Sequence, residues 1–200
     1  LTEEQQMTVD AMSQFAEEVL YALAHDADHQ AQFPEQLWQH LVDLGLNYYA
    51  LPEALGGVAA EQNIVSNILI AESLAKGDFS LTAGLLSSFS VINAITRWGS
   101  TQVQSMYLPV FAEDTDVTAT FAFQEATPAF NPYQLKTKAT EHNGQMTITG
   151  EKTLVILGDT ADVFLVSAEF NGQPDIFVVQ SNETIAIKAN PAMGLKATET

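Results

Sequence analysis

From Thr2 to about residue 112, apolar side chains recur every three or four positions, the spacing of one helix face. Thr2 and Gln5 form a capping box, and Met12, Phe15, Ala16, Val19, Leu20 and Leu23 follow on one stripe. The polar residues 25–32 are expected to close that helix in a loop. Phe33-Pro34 predicts a restart, because proline fits the first helical turn, where its missing N–H costs no bond. Leu37, Trp38, Leu41 and Val42 form the next stripe, and Gly45 provides a stop. Leu51-Pro52 and Gly56-Gly57, followed by Val58-Ala59-Ala60, mark a turn-rich connection. A third helix carries Ile64, Ile68, Ala71 and Leu74 and ends at Lys76-Gly77. A fourth, rich in small and apolar residues, runs from about Ser80 to Trp98 and stops at Gly99; a short fifth covers 102–112. Trp38 and Trp98 are both expected in the core.

Near Asp116 the period changes. Val117, Ala119, Phe121 and Phe123 alternate with small or polar residues, as in a half-buried strand. Further short strands are predicted at 135–140, 145–149, 153–157, 163–168, 177–180 and 184–187, with hairpin turns at Asn143-Gly144 and Asn171-Gly172. Without helical segments between them, these strands point to an antiparallel sandwich or barrel. The predicted class is α+β: an all-α helical domain at 1–115, then an antiparallel β-barrel or sandwich domain at 116–200.

Charge narrows the partners. The 200 residues carry 25 acidic and 7 basic side chains, a net charge of −18, and the first cation is Lys76. No basic patch is available to displace counterions from nucleic acid, and an anionic membrane surface would repel the chain. An apolar share of 46% argues against disorder. No apolar run looks long enough to cross a bilayer, and cysteine is absent. Leu1-Thr2-Glu3-Glu4 shows no leader pattern, so a cytoplasmic setting is expected.

Residue chemistry alone assigns no active site. His25 and His29, one helical turn apart with Asp26 and Asp28 between them, have metal-ligand spacing, but no third ligand cluster accompanies them, and no metal is expected. His40 reads as a rim residue and His142 as an exposed neighbour of a turn. Neither a P-loop nor a G-x-S-x-G elbow is present. Carboxylate pairs such as Glu3-Glu4 and Glu17-Glu18 sit on solvated helix faces.

The order of segments nonetheless resembles the acyl-CoA dehydrogenase family of flavoenzymes. Phe33-Pro34-Glu35-Gln36-Leu37, Leu44-Gly45-Leu46, Leu51-Pro52-Glu53 and Gly56-Gly57 are similar to that family's N-terminal helical pattern. Glu72, Leu74, Ala75, Asp78 and Ser80 match its "E-x-L-A-x-x-D-x-S" helix end, and Gly99-Ser100, Gln104, Tyr107-Leu108-Pro109 and Phe111 resemble the helix leading into its β domain. Residues 121–158 align without a gap onto the stretch that frames the flavin. Gly150-Glu151-Lys152 matches "G-x-K", and 193–200 resembles the "G-x-R-x-S-x-T" strand.

The resemblance implies FAD as cofactor, an acyl-CoA substrate oxidised at its α,β bond, an electron-transfer protein as acceptor, and a homo- or hetero-oligomer. It places Phe121, Phe123, Gln124, Ala129, Phe130, Leu154 and Ile156 at the cofactor. Several of these depart from the family's usual residues. Where "A-L-T-E-P-x-A-G-S-D" is usual, Glu125 is kept, Gln124 replaces Thr, and Ala129-Phe130 replaces the Gly-Ser pair at the diphosphate. In "G-x-K-x-W-I-T-N-G", Leu154 replaces the Trp and Ile156 the Thr. The family's general base, a Glu, belongs to a C-terminal helical domain, so no catalytic residue is expected in these 200 residues, and the β domain is expected to be incomplete. A charge of −18 opposes an anionic substrate at long range, although Lys136, Lys138, Lys152, Lys188 and Lys196 lie in the β part. The alternative is a non-catalytic relative: a partner subunit or binding module with an altered flavin site.

Overall fold

The computed structural model describes residues 1–57, 64–113 and 117–198. Three parts of the sequence reading lie outside them: Val58-Ala59-Ala60, the change of period near Asp116, and the last two residues of the 193–200 motif.

Helix α1 (Glu3–Phe15) opens on the predicted capping box: the Gln5 N–H donates to Thr2 Oγ1 at 3.1 Å, and the Thr2 N–H donates to Gln5 Oε1 at 3.1 Å. A π-helical turn at Ala16–Leu20 passes directly into α2 (Tyr21–Gln30). Residues 25–30 are therefore helical rather than loop, and the chain turns only at Ala31, which takes a left-handed conformation. Gly77 rests on the π turn so closely that a Cβ there would lie 2.5 Å from the Ala16 carbonyl. Helices α3 (Gln36–Asp43) and α4 (Leu46–Ala50) are separated by Gly45 at φ 62°, the left-handed stop that glycine adopts without strain.

Helix α5 (Ile64–Ala75) departs from its predicted stripe: Ile70 and Leu74 are buried, whereas Ile64 is 63% exposed and Ile68 is also exposed. Helix α6 (Phe79–Trp98) is long and apolar enough to cross a membrane by length and composition, contrary to the sequence expectation. Here eleven of its residues are buried and it forms the spine of the molecule. Its first half packs Leu81 and Leu85 with Leu20, Leu37, Leu46 and Leu74; its second packs Val91, Ile92 and Ile95 with Leu108 and Phe111 of α7 (Thr101–Glu113). Gly84 admits the Phe33 ring, which a Cβ would meet at 2.3 Å. Trp98 is not core: it is 79% exposed at the helix end, with the Arg97 guanidinium 5.7 Å from its ring centroid.

The second half forms one five-stranded sheet of β1 (Ala119–Ala122), β2 (Lys138–His142), β3 (Gln145–Thr149), β4 (Val163–Phe170) and β5 (Gln173–Gln180). Two hairpins are as expected: β2–β3 turns at Asn143-Gly144 (φ 52° and 76°) and β4–β5 at Asn171-Gly172 (φ 53° and 82°). The sheet is mixed, however, not antiparallel throughout. β1 runs parallel to β4 from Ala119↔Val163 to Ala122↔Val166, and β2 meets β4 in parallel at Lys138↔Glu169. Alternation of apolar residues records which side of a strand is buried but not the direction of its neighbour, and the chain excursion through β2–β3 supplies the crossover that parallel pairing needs. Residues 153–157 and 184–187 are not strands. In the former, Leu154 and Leu157 stand at φ 52° and 51°, which breaks an extended run.

Because β5 occupies one edge of β4 along its whole length, β1 and β2 share the other. β1 covers Val163–Val166 and β2 arrives at Glu169, so a seam opens between them at Ser167. On its far side β1 is held by α6: the Ala119 N–H donates to Ser88 Oγ at 2.9 Å, and the Ser87 hydroxyl donates to the Ala119 carbonyl at 2.9 Å. Serines of a helix thus satisfy a strand edge that would otherwise be buried unpaired.

Candidate functional site

An open recess of about 380 Å³ lies where α6, the end of β1 and the segment after Gly150 meet. Helix α6 contributes Ala83, Leu86, Ser87 and Ser90; β1 and its exit contribute Thr120, Phe121, Phe123 and Gln124; the 150–158 segment contributes Leu154 and Ile156. Five of the seven positions implied by the resemblance therefore come together: Phe121, Phe123, Gln124, Leu154 and Ile156. Ala129 and Phe130 do not line it; they sit on the loop after Glu125, with Ala129 at φ 51°. The α6 wall escaped the sequence reading, although Ala83, Ser87 and Ser90 are spaced four and three apart, one helix face of small residues.

The walls are apolar and aromatic. The Phe121 and Phe123 ring centroids are 4.8 Å apart at 57°. The Thr120 hydroxyl donates to the Ile156 carbonyl at 2.7 Å and the Ser87 hydroxyl is engaged with Ala119, which leaves the Gln124 amide and the Ser90 hydroxyl as side-chain groups for a ligand. The main chain of the 150–158 segment is tied to distant residues at three points: the Ile156 carbonyl accepts from Thr120, the Thr153 N–H donates to the Gln124 carbonyl at 2.9 Å, and the Leu157 N–H donates to the Thr198 carbonyl at 2.8 Å. These bonds hold Leu154 in its left-handed conformation, 40% exposed, at the mouth.

Behind the recess the β1–β2 seam is filled by a buried ion pair. Glu125 and Lys152, 4% and 9% exposed at their side chains, lie 3.1 Å apart. Glu125 accepts the N–H groups of Lys136 and Thr137, each at 2.8 Å. Lys152 Nζ also donates to the Phe123 carbonyl at 3.1 Å and to Ser167 Oγ at 2.9 Å, and the Ser167 hydroxyl donates to the same carbonyl at 3.0 Å. The main-chain groups that the parting strands leave unpaired are thus satisfied by a carboxylate, an ammonium and a hydroxyl. Burial alone would raise the Glu125 carboxyl; the backbone N–H groups of Lys136 and Thr137, with Lys152, outweigh it and hold it at about 2, against an ordinary 4.5. Burial lowers the Lys152 ammonium, and Glu125 opposes that. Gly150, two residues before Lys152, packs directly on Thr137: a Cβ there would lie 2.5 Å from Thr137 Oγ1, an approach that glycine allows.

The other candidates stay apart. The His25 and His29 rings are 4.9 Å apart on exposed α2, and no group of three or more metal-ligating residues occurs among the described residues. His40 packs edge-on against Phe15 at 5.4 Å, and His142 is exposed. Of the five β-part lysines, Lys152 is committed to Glu125 and Lys138 to Glu169, leaving Lys136, Lys188 and Lys196. A second recess of about 330 Å³, between α7 and the ends of β4 and β5, is lined by Tyr107, Phe111, Asp162 and Gln180 among others and holds none of the seven positions.

A helical layer joined through one spine helix to a mixed sheet is the fold also found in solved acyl-CoA dehydrogenases. The sequence profile described as "Acyl-CoA dehydrogenase, N-terminal domain" matches residues 2–115, and the chain belongs to the acyl-CoA dehydrogenase family. It is 29% identical to cyclohex-1-ene-1-carbonyl-CoA dehydrogenase of Geobacter metallireducens over 84% of this chain and 44% of that one. It is 27% identical to a probable short/branched chain specific acyl-CoA dehydrogenase of Dictyostelium discoideum, over 100% of this chain and 50% of the relative. The chain thus spans about half the length of these relatives. Its fold superposes on butyryl-CoA dehydrogenase from Megasphaera elsdenii with a TM-score of 0.81 at 24% identity, covering 98% of this chain and 54% of that one. A glutaryl-CoA dehydrogenase from Mycobacterium smegmatis in complex with FADH2 gives the same TM-score and identity, covering 96% and 49%.

Proposed function

We propose that the complete protein is an FAD-dependent oxidoreductase that dehydrogenates the α,β bond of an acyl-CoA thioester, and that the recess bounded by α6, β1 and residues 150–158 receives the flavin ring. The observation that carries this reading is the convergence of Phe121, Phe123, Gln124, Leu154 and Ile156 on one recess. The residues fit a flat, amphipathic ring: Phe121, Phe123, Leu154 and Ile156 supply apolar walls that exclude water, and the Gln124 amide offers a donor and an acceptor to a polar edge. Ala129 and Phe130, on the neighbouring loop, belong to the part of the site that meets the diphosphate. The chemistry that FAD would supply there is an acceptor for the hydride leaving the substrate's β-carbon. The helical part (1–115) and the β part (116–200) of this chain bind and orient the ring, and a base outside these residues removes the α-proton.

The departures from the family pattern favour a second reading, a non-catalytic relative that serves as a partner subunit or binding module. Ile156 offers no hydroxyl to a ring, and Leu154 replaces an aromatic wall with an aliphatic one. The two readings are separated by purifying the complete protein, recording its visible spectrum, and adding acyl-CoA with a dye acceptor. The enzyme reading predicts a flavin spectrum, FAD released on denaturation, and acyl-CoA-dependent bleaching of the dye. Flavin without bleaching favours the second reading, and a protein that neither carries nor takes up flavin contradicts the first.

A further inference from the structure

Lys152 does not line the recess, yet it holds the corner on which two lining residues sit. A counter-ion for Glu125 needs one contact; Lys152 makes three, to Glu125 Oε1 at 3.1 Å, the Phe123 carbonyl at 3.1 Å and Ser167 Oγ at 2.9 Å. The Ser167 hydroxyl donates to the same Phe123 carbonyl at 3.0 Å, so two donors converge on one oxygen where β1 parts from β4. One residue beyond Lys152, the Thr153 N–H donates to the Gln124 carbonyl at 2.9 Å. The carbonyls on both sides of the Gln124 Cα are therefore pinned, and with them the backbone that carries the Phe123 ring and the Gln124 amide into the recess. All peptide bonds described are trans, so the Gln124 N–H points away from Lys152. A carbonyl that accepts a charge-assisted bond also leaves the N–H of its peptide a stronger donor.

We infer that Lys152 is a positioning residue for the ring bound in the recess, acting through the Phe123–Gln124 peptide and not only as the counter-ion of Glu125. The inference rests on the flavin reading above. Its test compares FAD affinity, followed by quenching of flavin fluorescence, with thermal midpoint in the complete protein carrying Lys152→Met, Glu125→Gln with Lys152→Met, or Glu125→Gln alone. Lys152→Met alone strands a buried carboxylate and is expected to lose both stability and FAD. The double change leaves no buried charge without a partner and is expected to regain most of the thermal midpoint. Its FAD affinity is expected to stay about tenfold below wild type, with a shifted visible flavin band, because the Phe123 carbonyl still lacks its cation. Affinity that recovers together with stability overturns the inference and leaves Lys152 a counter-ion. Should the double variant not fold, Glu125→Gln decides: it removes the counter-ion charge and keeps Lys152 at the Phe123 carbonyl, so FAD affinity within about twofold of wild type is expected despite a lower thermal midpoint, and affinity that falls in step with the midpoint overturns the inference. Wild-type protein that takes up no FAD overturns the flavin reading and this inference together, an outcome distinct from a double variant that binds as wild type does.

Discussion

In the helical half, Leu20, Leu37, Leu46, Leu74 and Leu85 meet at zero exposure with no charged group among them, whereas the seam beside β4 encloses a carboxylate, an ammonium and a hydroxyl at comparable depth. The difference follows from what each element leaves unpaired. A helix satisfies its own backbone, so its interior needs only apolar side chains of fitting shape. Two strands that part along a third leave main-chain donors and acceptors facing one another, and only polar side chains can answer them. The first solution is graded, since one lost methylene costs one methylene. The second is close to all-or-none, because removing one partner exposes the unmet needs of the others. The recess sits where the two meet, with small residues of α6 on one side and the pinned corner of β1 on the other.

Breaking the polar side is expected to have the largest effect. Lys152→Met strands Glu125 and its network, and chemical denaturation should show a loss of about 3–5 kcal/mol. Next, pH should act on the seam and not on the helices. The folded-state carboxyl of Glu125 is held at about 2, below its ordinary 4.5, so its contribution is fully present above about pH 4.5 and is lost as pH falls towards about 2. Denaturation between pH 6 and pH 3 should therefore show a decline that Glu125→Gln flattens; parallel curves for the two proteins would break the comparison. On the apolar side, Leu85→Ala, at zero exposure, should cost about 3 kcal/mol by the same measurement, with a deficit that does not change with pH. The smallest effect belongs to the exposed capping box, where Thr2→Ala should cost about 1 kcal/mol and register as a slight fall in thermal midpoint.

Much of the helical half was legible because its signals are local. Thr2 with Gln5, Gly45, and the two Asn-Gly turns each act within four residues, and each is found as expected. The misreadings lie where a distant partner decides. Residues 153–157 are apolar and β-branched enough to read as a strand, but bonds to Gln124, Thr120 and Thr198 fold them into turns with Leu154 and Leu157 left-handed. Ile64, Ile68 and Trp98 are apolar by type and exposed by position, which helical spacing alone does not reveal. Of the recess, five lining residues are ones the resemblance names, whereas the α6 wall and the pairing of Glu125 with Lys152 do not follow from it. Those two residues stand 27 apart in sequence, and nothing local to either shows that they meet in the seam.

The recess between α6, β1 and residues 150–158 is proposed to hold a flavin ring. Ser90 lines the recess from α6 and is only half-buried, so a large side chain there fills the space without entering the core. The decisive measurement is the FAD bound by the complete protein with and without Ser90→Trp, with the thermal midpoint recorded alongside. Flavin is expected in the wild type, with about tenfold weaker binding in the variant and an unchanged midpoint. A Ser90→Trp protein that binds FAD as tightly as the wild type would contradict the proposed flavin site.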